Sequence, residues 1–240
     1  MGLVRLESFL EDHIEGFFNK KFSSDLEPVE LIKGLEREMA KYRKKKSVPN
    51  VYELTLSNED YQRLCAQRIY DTLYTAIEKQ VILDDKVMDG TLRIHMHQQR
   101  RLTRGVFKLE SAFHEQDDGE DDVNASHTIM LDRPTAPLLS PGDHMTASLN
   151  VIEGPDLDSY LEIGEKRIYL GRRDKNDFIL TDSNASRLHA WISYERHRHI
   201  LHDAQSTNGT FVNDRPVETC CLRDGDRIRI GLNVLIYEVI

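Results

Sequence analysis

Three short polar clusters in the second half of this chain carry residue types suited to holding an oxyanion. Gly171 and Arg172 close one apolar run, Ser186, Arg187 and His189 open another, and Ser206, Thr207, Asn208 and Gly209 precede a third. An arginine guanidinium offers paired N–H donors to phosphate or carboxylate oxygens. Hydroxyl and side-chain amide groups can complete such a shell. The pattern therefore implies an anion site assembled from loops, with phosphate and carboxylate both able to satisfy its donors.

Two other chemistries are open to these residue types. Ser186, His189 and Asp203 could be nucleophile, base and orienting acid, but the G-x-S-x-G elbow is absent and S-R-L-H sets an arginine beside the supposed nucleophile. No P-loop G-x-x-x-x-G-K-[ST] or kinase signature set occurs either. His95 and His97 share a strand face, yet no Cys, Asp or third His stands at ligand spacing. They read as solvent-facing polar positions, as do His197, His199 and His202. A non-enzyme is expected, with no metal and no cofactor.

The clusters must be positioned by strands. Short apolar segments at 147–152, 160–163, 167–170, 178–180, 190–194, 200–203, 210–213, 227–230 and 234–239 are separated by polar and glycine-containing turns. Such spacing predicts an all-β sandwich over residues 146–240, with the polar clusters on its loops.

The ordered string G-R, S-R-x-H, S-T-N-G-T-F-V-N resembles a forkhead-associated (FHA) domain, a β-sandwich that binds phosphothreonine peptides through loops at one end. The resemblance implies that Arg172 and Ser186 hold the phosphate, that Thr207 assists, and that Asn208 holds the bound peptide's backbone. It sets Arg187 beside the pocket, toward the phosphate or a flanking residue, and gives Gly171, His189 and Gly209 loop-shaping roles. Asn213-Asp214 departs from the Asn-Gly frequent in this family, and Asp takes a positive φ less readily than Gly.

Residues 1–113 read as α+β. Leu3, Leu6, Leu10, Ile14, Phe17 and Phe18 recur at helical spacing over 3–22, and a second helix starts near Pro28. That helix runs into Lys41, Arg43, Lys44, Lys45 and Lys46, either a solvated helix end or a docking patch for an acidic surface. A strand over 48–56, a helix opened by the capping residues Ser57 to Asp60 and running to about Val81, and a hairpin connected through 98–104 follow. The segments L-x-x-F-L-E-D-x-I-E-G-F-F, P-V-E-L-I-K-G-L-E-R-E-M and V-P-N-x-Y-E-L-T-L-S-N-E-D-Y resemble the N-terminal domain of bacterial FhaA-type proteins. That resemblance implies Ser/Thr-kinase signalling, often near envelope or division control.

Residues 114–145 hold one basic and several acidic side chains with Pro134, Pro137 and Pro141, the composition of a disordered acidic linker. Residues 1–113 hold 19 Lys and Arg against 18 Asp and Glu, so the net charge of −9 is concentrated in the linker. That balance does not favour nucleic acid. No apolar run reaches the length of a membrane span, the opening lacks a signal-peptide pattern, and three cysteines make no disulfide framework. A cytoplasmic two-domain adaptor is expected. Its FHA domain would bind a phosphothreonine-containing protein, and its first domain would dock a kinase or an envelope-associated protein. The competing expectation is a scaffold that binds acidic surfaces or nucleic acid through the first domain, with a merely structural FHA module. Thr128 and Thr135, each followed three residues on by a leucine, would be internal ligands if phosphorylated.

Overall fold

The computed structural model describes residues 17–19, 25–114 and 144–240. Helix α1, Pro28–Ala40, begins with a proline whose missing N–H is no loss in a first turn, and Glu30 Oε2 accepts the Glu27 N–H at 2.9 Å. Its Leu31, Leu35 and Met39 recur every fourth position and are buried, while Val29 lies off that stripe and is exposed. The stripe packs on a four-stranded sheet ordered β1-β6-β3-β5, made from β1, Phe17–Asn19, β3, Val51–Leu56, β5, Arg93–Gln98, and β6, Val106–Ala112. Tyr52, Leu54, Leu56, Ile94, Met96, Phe107 and Leu109 supply the sheet's side of the core. A separate parallel pair joins β2, Ser47–Val48, to β4, Val87–Met88.

Three expectations for this part are corrected. Of the helix expected over 3–22, only 17–19 fall among the described residues, and these pair as a strand with Val106 to Lys108. There the open edge of β6 offers backbone partners, and pairing overrides local helical spacing. The second correction concerns 98–104, which does not close a hairpin. Strand β3 lies between β5 and β6, parallel to the first and antiparallel to the second. The loop returns across the end of β3 instead, where Asp60 Oδ2 accepts the Gly105 N–H at 2.7 Å. Third, the helix expected to run from Ser57 to Val81 is two, α2, Asn58–Leu64, and α3, Gln67–Leu83. Leu64 is followed by polar residues at the positions three and four further on, and the apolar stripe resumes at Ile69, Leu73 and Ile77. The break at Cys65 and Ala66 corrects the phase, so both stripes face one core.

Residues 144–240 form two sheets. The five-stranded sheet, ordered β10-β9-β11-β12-β15, contains β9, Ile168–Gly171, β10, Phe178–Ile179, β11, Ala190–Glu195, β12, Arg198–Asp203, and β15, Thr219–Cys221. The six-stranded sheet, ordered β14-β13-β16-β17-β7-β8, contains β7, Met145–Glu153, β8, Tyr160–Gly164, β13, Thr210–Val212, β14, Arg215–Val217, β16, Arg227–Ile230, and β17, Asn233–Val239. Leu170, Ile192 and Leu201 from the first sheet pack on Leu149, Val151, Ile228 and Leu235 from the second. Edge strands β14 and β15 carry no alternation that would announce them in the sequence. The Asn213-Asp214 turn has both residues at positive φ, 49° and 63°. Asn213 holds it by donating to Asp226 Oδ1 and accepting the Arg227 N–H.

The C-terminal end of α3 meets the β11–β12 hairpin. Arg196 forks onto Asp89 at 2.6 and 3.0 Å, and Met88 N–H donates to Arg196 O. Arg198, 2 % exposed, donates to Asp85 Oδ1, Lys86 O and Leu222 O at 2.8–2.9 Å. Tyr194 donates to the buried Glu78, and Ile82 packs into the sandwich core. The expected solvent-facing role fails for His197, whose side chain is 13 % exposed with Nε2 3.2 Å from Gly90 O, and for His199, which is fully buried. Its Nε2 donates to Gly164 O and its Nδ1 accepts from Tyr237 Oη at 2.8 Å. Burial pushes its pKa down to about 4, so it stays neutral. Residues 115–143, which cover most of the expected linker together with Thr128 and Thr135, lie outside the described residues.

Candidate functional site

At the opposite end of β11 and β12 from that hairpin, three loops converge. Gly171 makes the first close approach. Its φ is 149°, and a Cβ there would lie 2.8 Å from both His189 N and Ser186 O, so only glycine fits. The chain can then zip across: Arg172 N–H donates to Ser186 O and Arg173 N–H to Arg187 O, at 3.0 and 3.1 Å. Asn176 Nδ2 reinforces this by donating to Arg187 O at 2.9 Å.

His189 is fully buried and ties the loops together. Its Nδ1 accepts the Ser186 backbone N–H at 2.9 Å, which leaves Nε2 protonated to donate to Gly209 O at 3.2 Å. Burial lowers its pKa, which favours this neutral form. The hydrolase arrangement is therefore not built: both ring nitrogens are committed to backbone, and Ser186 Oγ turns to Thr207. Ser186 Oγ accepts the Thr207 N–H at 3.0 Å and points toward Thr207 Oγ1 at 3.4 Å. Asn208 Nδ2 donates to Asn184 O at 2.8 Å, and Gly209 takes a φ of 76° to turn the chain into β13.

Carboxylates brace the loops from behind. Asp203 accepts Ser206 N–H, Ser206 Oγ and Thr210 Oγ1 at 2.9, 2.6 and 2.6 Å. Burial alone would raise its pKa, but the Ser206 and Thr210 hydrogen bonds outweigh that and hold it below the usual range. Asp182 likewise accepts Leu232 N–H and both nitrogens of Asn184. In front of these braces is an open cavity of about 450 Å³. Arg172, Ser186, Arg187, Thr207 and Asn208 all line it, while Gly171, His189 and Gly209 shape its walls without lining it. Arg173 and Leu188 also line it and were not singled out in the sequence, although the Arg172-Arg173 doublet was the available signal.

The other candidates do not assemble. His97 Nε2 lies 2.9 Å from Glu53, His95 stacks near it, and no group of three metal-ligating side chains occurs among the described residues. Cys65, Cys220 and Cys221 are free thiols. In the basic cluster, Lys86 Nζ caps Arg43 O and Lys45 O, and Lys45 lies over the Tyr42 and Phe113 rings. Among the described residues no helix is long and apolar enough to cross a membrane.

Comparison with known proteins agrees with this architecture. The family model of the FhaA N-terminal domain matches residues 3–110, and that of the FHA domain matches 168–231, a span that contains the whole cavity. The glycogen accumulation regulator GarA of Mycobacterium tuberculosis is 34% identical over 99 residues, 41% of this chain and 59% of its own. The chain thus spans about three fifths of that relative's length. The FHA domain-containing protein FhaA of the same organism is 36% identical over 94 residues, 36% of this chain and 18% of its own. An oxoglutarate dehydrogenase inhibitor of Corynebacterium efficiens is 30% identical over 106 residues, 43% of this chain and 75% of its own. The chain belongs to the FHA-domain proteins of the FhaA type, with an FhaA N-terminal domain ahead of its FHA domain.

Proposed function

We propose that this chain is a phosphothreonine-peptide-binding adaptor in bacterial Ser/Thr-kinase signalling. The observation that carries the reading is the convergence of Arg172, Ser186, Thr207 and Asn208 on one open cavity. Arg172 and the Ser186 hydroxyl take the phosphate oxygens, with Thr207 beside them. Asn208, whose Nδ2 already holds Asn184 O, keeps its Oδ1 for a peptide N–H. Neutral His189 adds no charge and keeps the loops at fixed spacing, so binding costs little ordering entropy.

Residues 1–113 then serve to dock a protein partner, a kinase or an envelope-associated protein. Lys44 and Lys46 are the side chains of the basic cluster to test by charge reversal, because Lys45 is engaged with two rings. The test of the main reading is calorimetric titration of the full chain with a threonine peptide, phosphorylated and not. Only the phosphorylated form is expected to bind, and Arg172→Ala is expected to cost about 2–5 kcal/mol of binding free energy. Equal affinity of wild type and variant would remove Arg172 from the site.

A further inference from the structure

The first part of the chain contains a stretch, Thr91 to Leu109, with five lysines and arginines and no Asp or Glu. Two of these cations are used by the fold: Arg104 pairs with Asp25, and Lys108 with Glu110. Arg93, Arg100 and Arg101 are exposed and make no ion pair among the described residues. Nearby carboxylates are committed elsewhere. Glu53 faces His97 Nε2 at 2.9 Å, and Asp60 takes Ser57, Arg63 and the Gly105 N–H. The cluster after α1 is different, because much of it finishes the helix. There Lys41 pairs with Glu38, Lys45 lies over two rings, and Lys86 caps the Arg43 and Lys45 carbonyls.

Strand β5 sets the free cations in a line. It is the outer strand of its sheet, with β3 on one side and no strand on the other. Arg93 N–H donates to Asn50 O at its start, and Gln99 N–H to Leu56 O just past its end. At about 3.3 Å per residue, Arg93 stands roughly 20 Å from the start of the Arg100-Arg101 pair. An open edge ordinarily recruits another strand. Here the Tyr74 and Tyr70 hydroxyls of α3 meet the backbone of Ile94 and Met96, and so cover the edge. A partner running along β5 is therefore held through side chains, with the cations at its two ends.

The neighbouring sheet face decides between acidic polymers. Glu53 lies across from His95 on one side and from Glu110 on the other, and both glutamates are exposed. A nucleic-acid backbone, charged at every step, would meet these carboxylates. A peptide can place neutral side chains beside them and acidic ones at Arg93 and at Arg100 and Arg101.

We propose that the β5 edge, through Arg93, Arg100 and Arg101, docks an extended acidic segment of a partner protein. This rests on the docking role given above to the first part and is independent of the phosphothreonine site.

The test is fluorescence anisotropy of the full chain with a labelled peptide of alternating glutamate and alanine, its glutamine counterpart, and a single-stranded oligothymidine. The glutamate peptide is expected to bind at least about tenfold more tightly than the glutamine one. The Arg93→Gln/Arg100→Gln/Arg101→Gln variant is expected to lose about tenfold in affinity for it, while Lys44→Gln/Lys46→Gln stays within about twofold of wild type. The arginine variant should keep the wild-type urea midpoint and phosphothreonine-peptide affinity, because all three side chains are exposed and remote from the cavity. Equal binding of the two peptides, or none, would overturn the proposal, as would an arginine variant that binds like wild type. Loss confined to the lysine variant would keep a docking role for the first part but move it to the cluster after α1. Tighter binding of the oligothymidine would replace the peptide with nucleic acid. Binding that appears only after Glu115, Asp117 and Asp118 are changed to their amides would make the chain's own acidic run the occupant. Each of these outcomes leaves the phosphothreonine reading intact, since that stands on its own titration.

Discussion

Gly171 is the residue on which the loop geometry turns. Its Cα hydrogens face the backbone of both Ser186 and His189, so the obstacle to a side chain there is main chain, which cannot rotate aside. Gly171→Ala combines that collision with a φ that alanine avoids, and the two effects add in one direction. The expected loss is more than about 1 kcal/mol of unfolding stability, read from the urea midpoint. A fall in phosphopeptide affinity should accompany it, because the zipped backbone of Arg172 and Ser186 begins at this residue. An alanine variant as stable as the wild type would show that the loops can move apart freely. His189 illustrates the complementary point, that a residue can shape a cavity without lining it. It works through the Ser186 N–H and the Gly209 carbonyl.

At the scale of elements, the first part of the chain depends on a capping residue that also spans distance. Ser57 Oγ caps α2 by accepting the Asp60 N–H at 3.1 Å and donates to Asp60 Oδ2 at 2.8 Å. The same carboxylate accepts from Gly105 N–H, and its other oxygen takes Arg63 at 2.9 Å. Burial would raise the Asp60 pKa, but the Gly105, Ser57 and Arg63 interactions outweigh it, so the folded pKa is lowered. Stability from this carboxylate is therefore present above the unfolded pKa of 3.8 and is lost as pH falls through the folded value. Asp60→Ala strands a buried N–H and an arginine together, and is expected to cost about 3 kcal/mol at neutral pH. Asp60→Asn keeps one acceptor and should cost less. Chemical unfolding of both variants measures the difference, and equal, small losses would mean that water replaces the carboxylate.

At the scale of the whole molecule, α3 and the β11–β12 hairpin join the two parts through charged groups that are mostly satisfied. Arg198 matters most, because its removal would take the donor from the Lys86 and Leu222 carbonyls and leave Asp85 to Arg223 alone. The contact occupies the end of the sandwich away from the cavity, so the first part leaves the cavity open. Next to it, His199 gives the molecule a pH dependence with a definite sign. Its folded pKa of about 4 lies below the ordinary 6.5, so between those values the unfolded chain binds a proton that the folded chain does not. Stability is then expected to fall by roughly 3 kcal/mol as pH drops from about 6.5 to about 4. His199→Asn should flatten this window, as read from thermal or urea unfolding at half-unit pH steps. A slope unchanged in the variant would assign it to other groups.

The sequence by itself determined what depends on neighbours along the chain. The spacing of Gly171-Arg172, Ser186-Arg187-x-His189 and Ser206 to Gly209 prescribes the three loops, and alternation marks nine of the sandwich strands. Pro28 and the four-residue stripe mark α1, and Ser57 marks the cap of α2. Only tertiary structure decided which segments pair and which polar side chains are enclosed. Residues 93–98 and 106–112 look like hairpin arms, yet β3 competes for both and lies between them. His197, His199 and His202 look alike in a polar strand, but only His199 meets Gly164 and Tyr237 from other strands. Arg173 joins Arg187 at the cavity because its backbone N–H reaches the Arg187 carbonyl across the loops. Local patterns specify a residue's side of its own element. Burial, charge crowding and strand order are set by what the rest of the chain brings against that side.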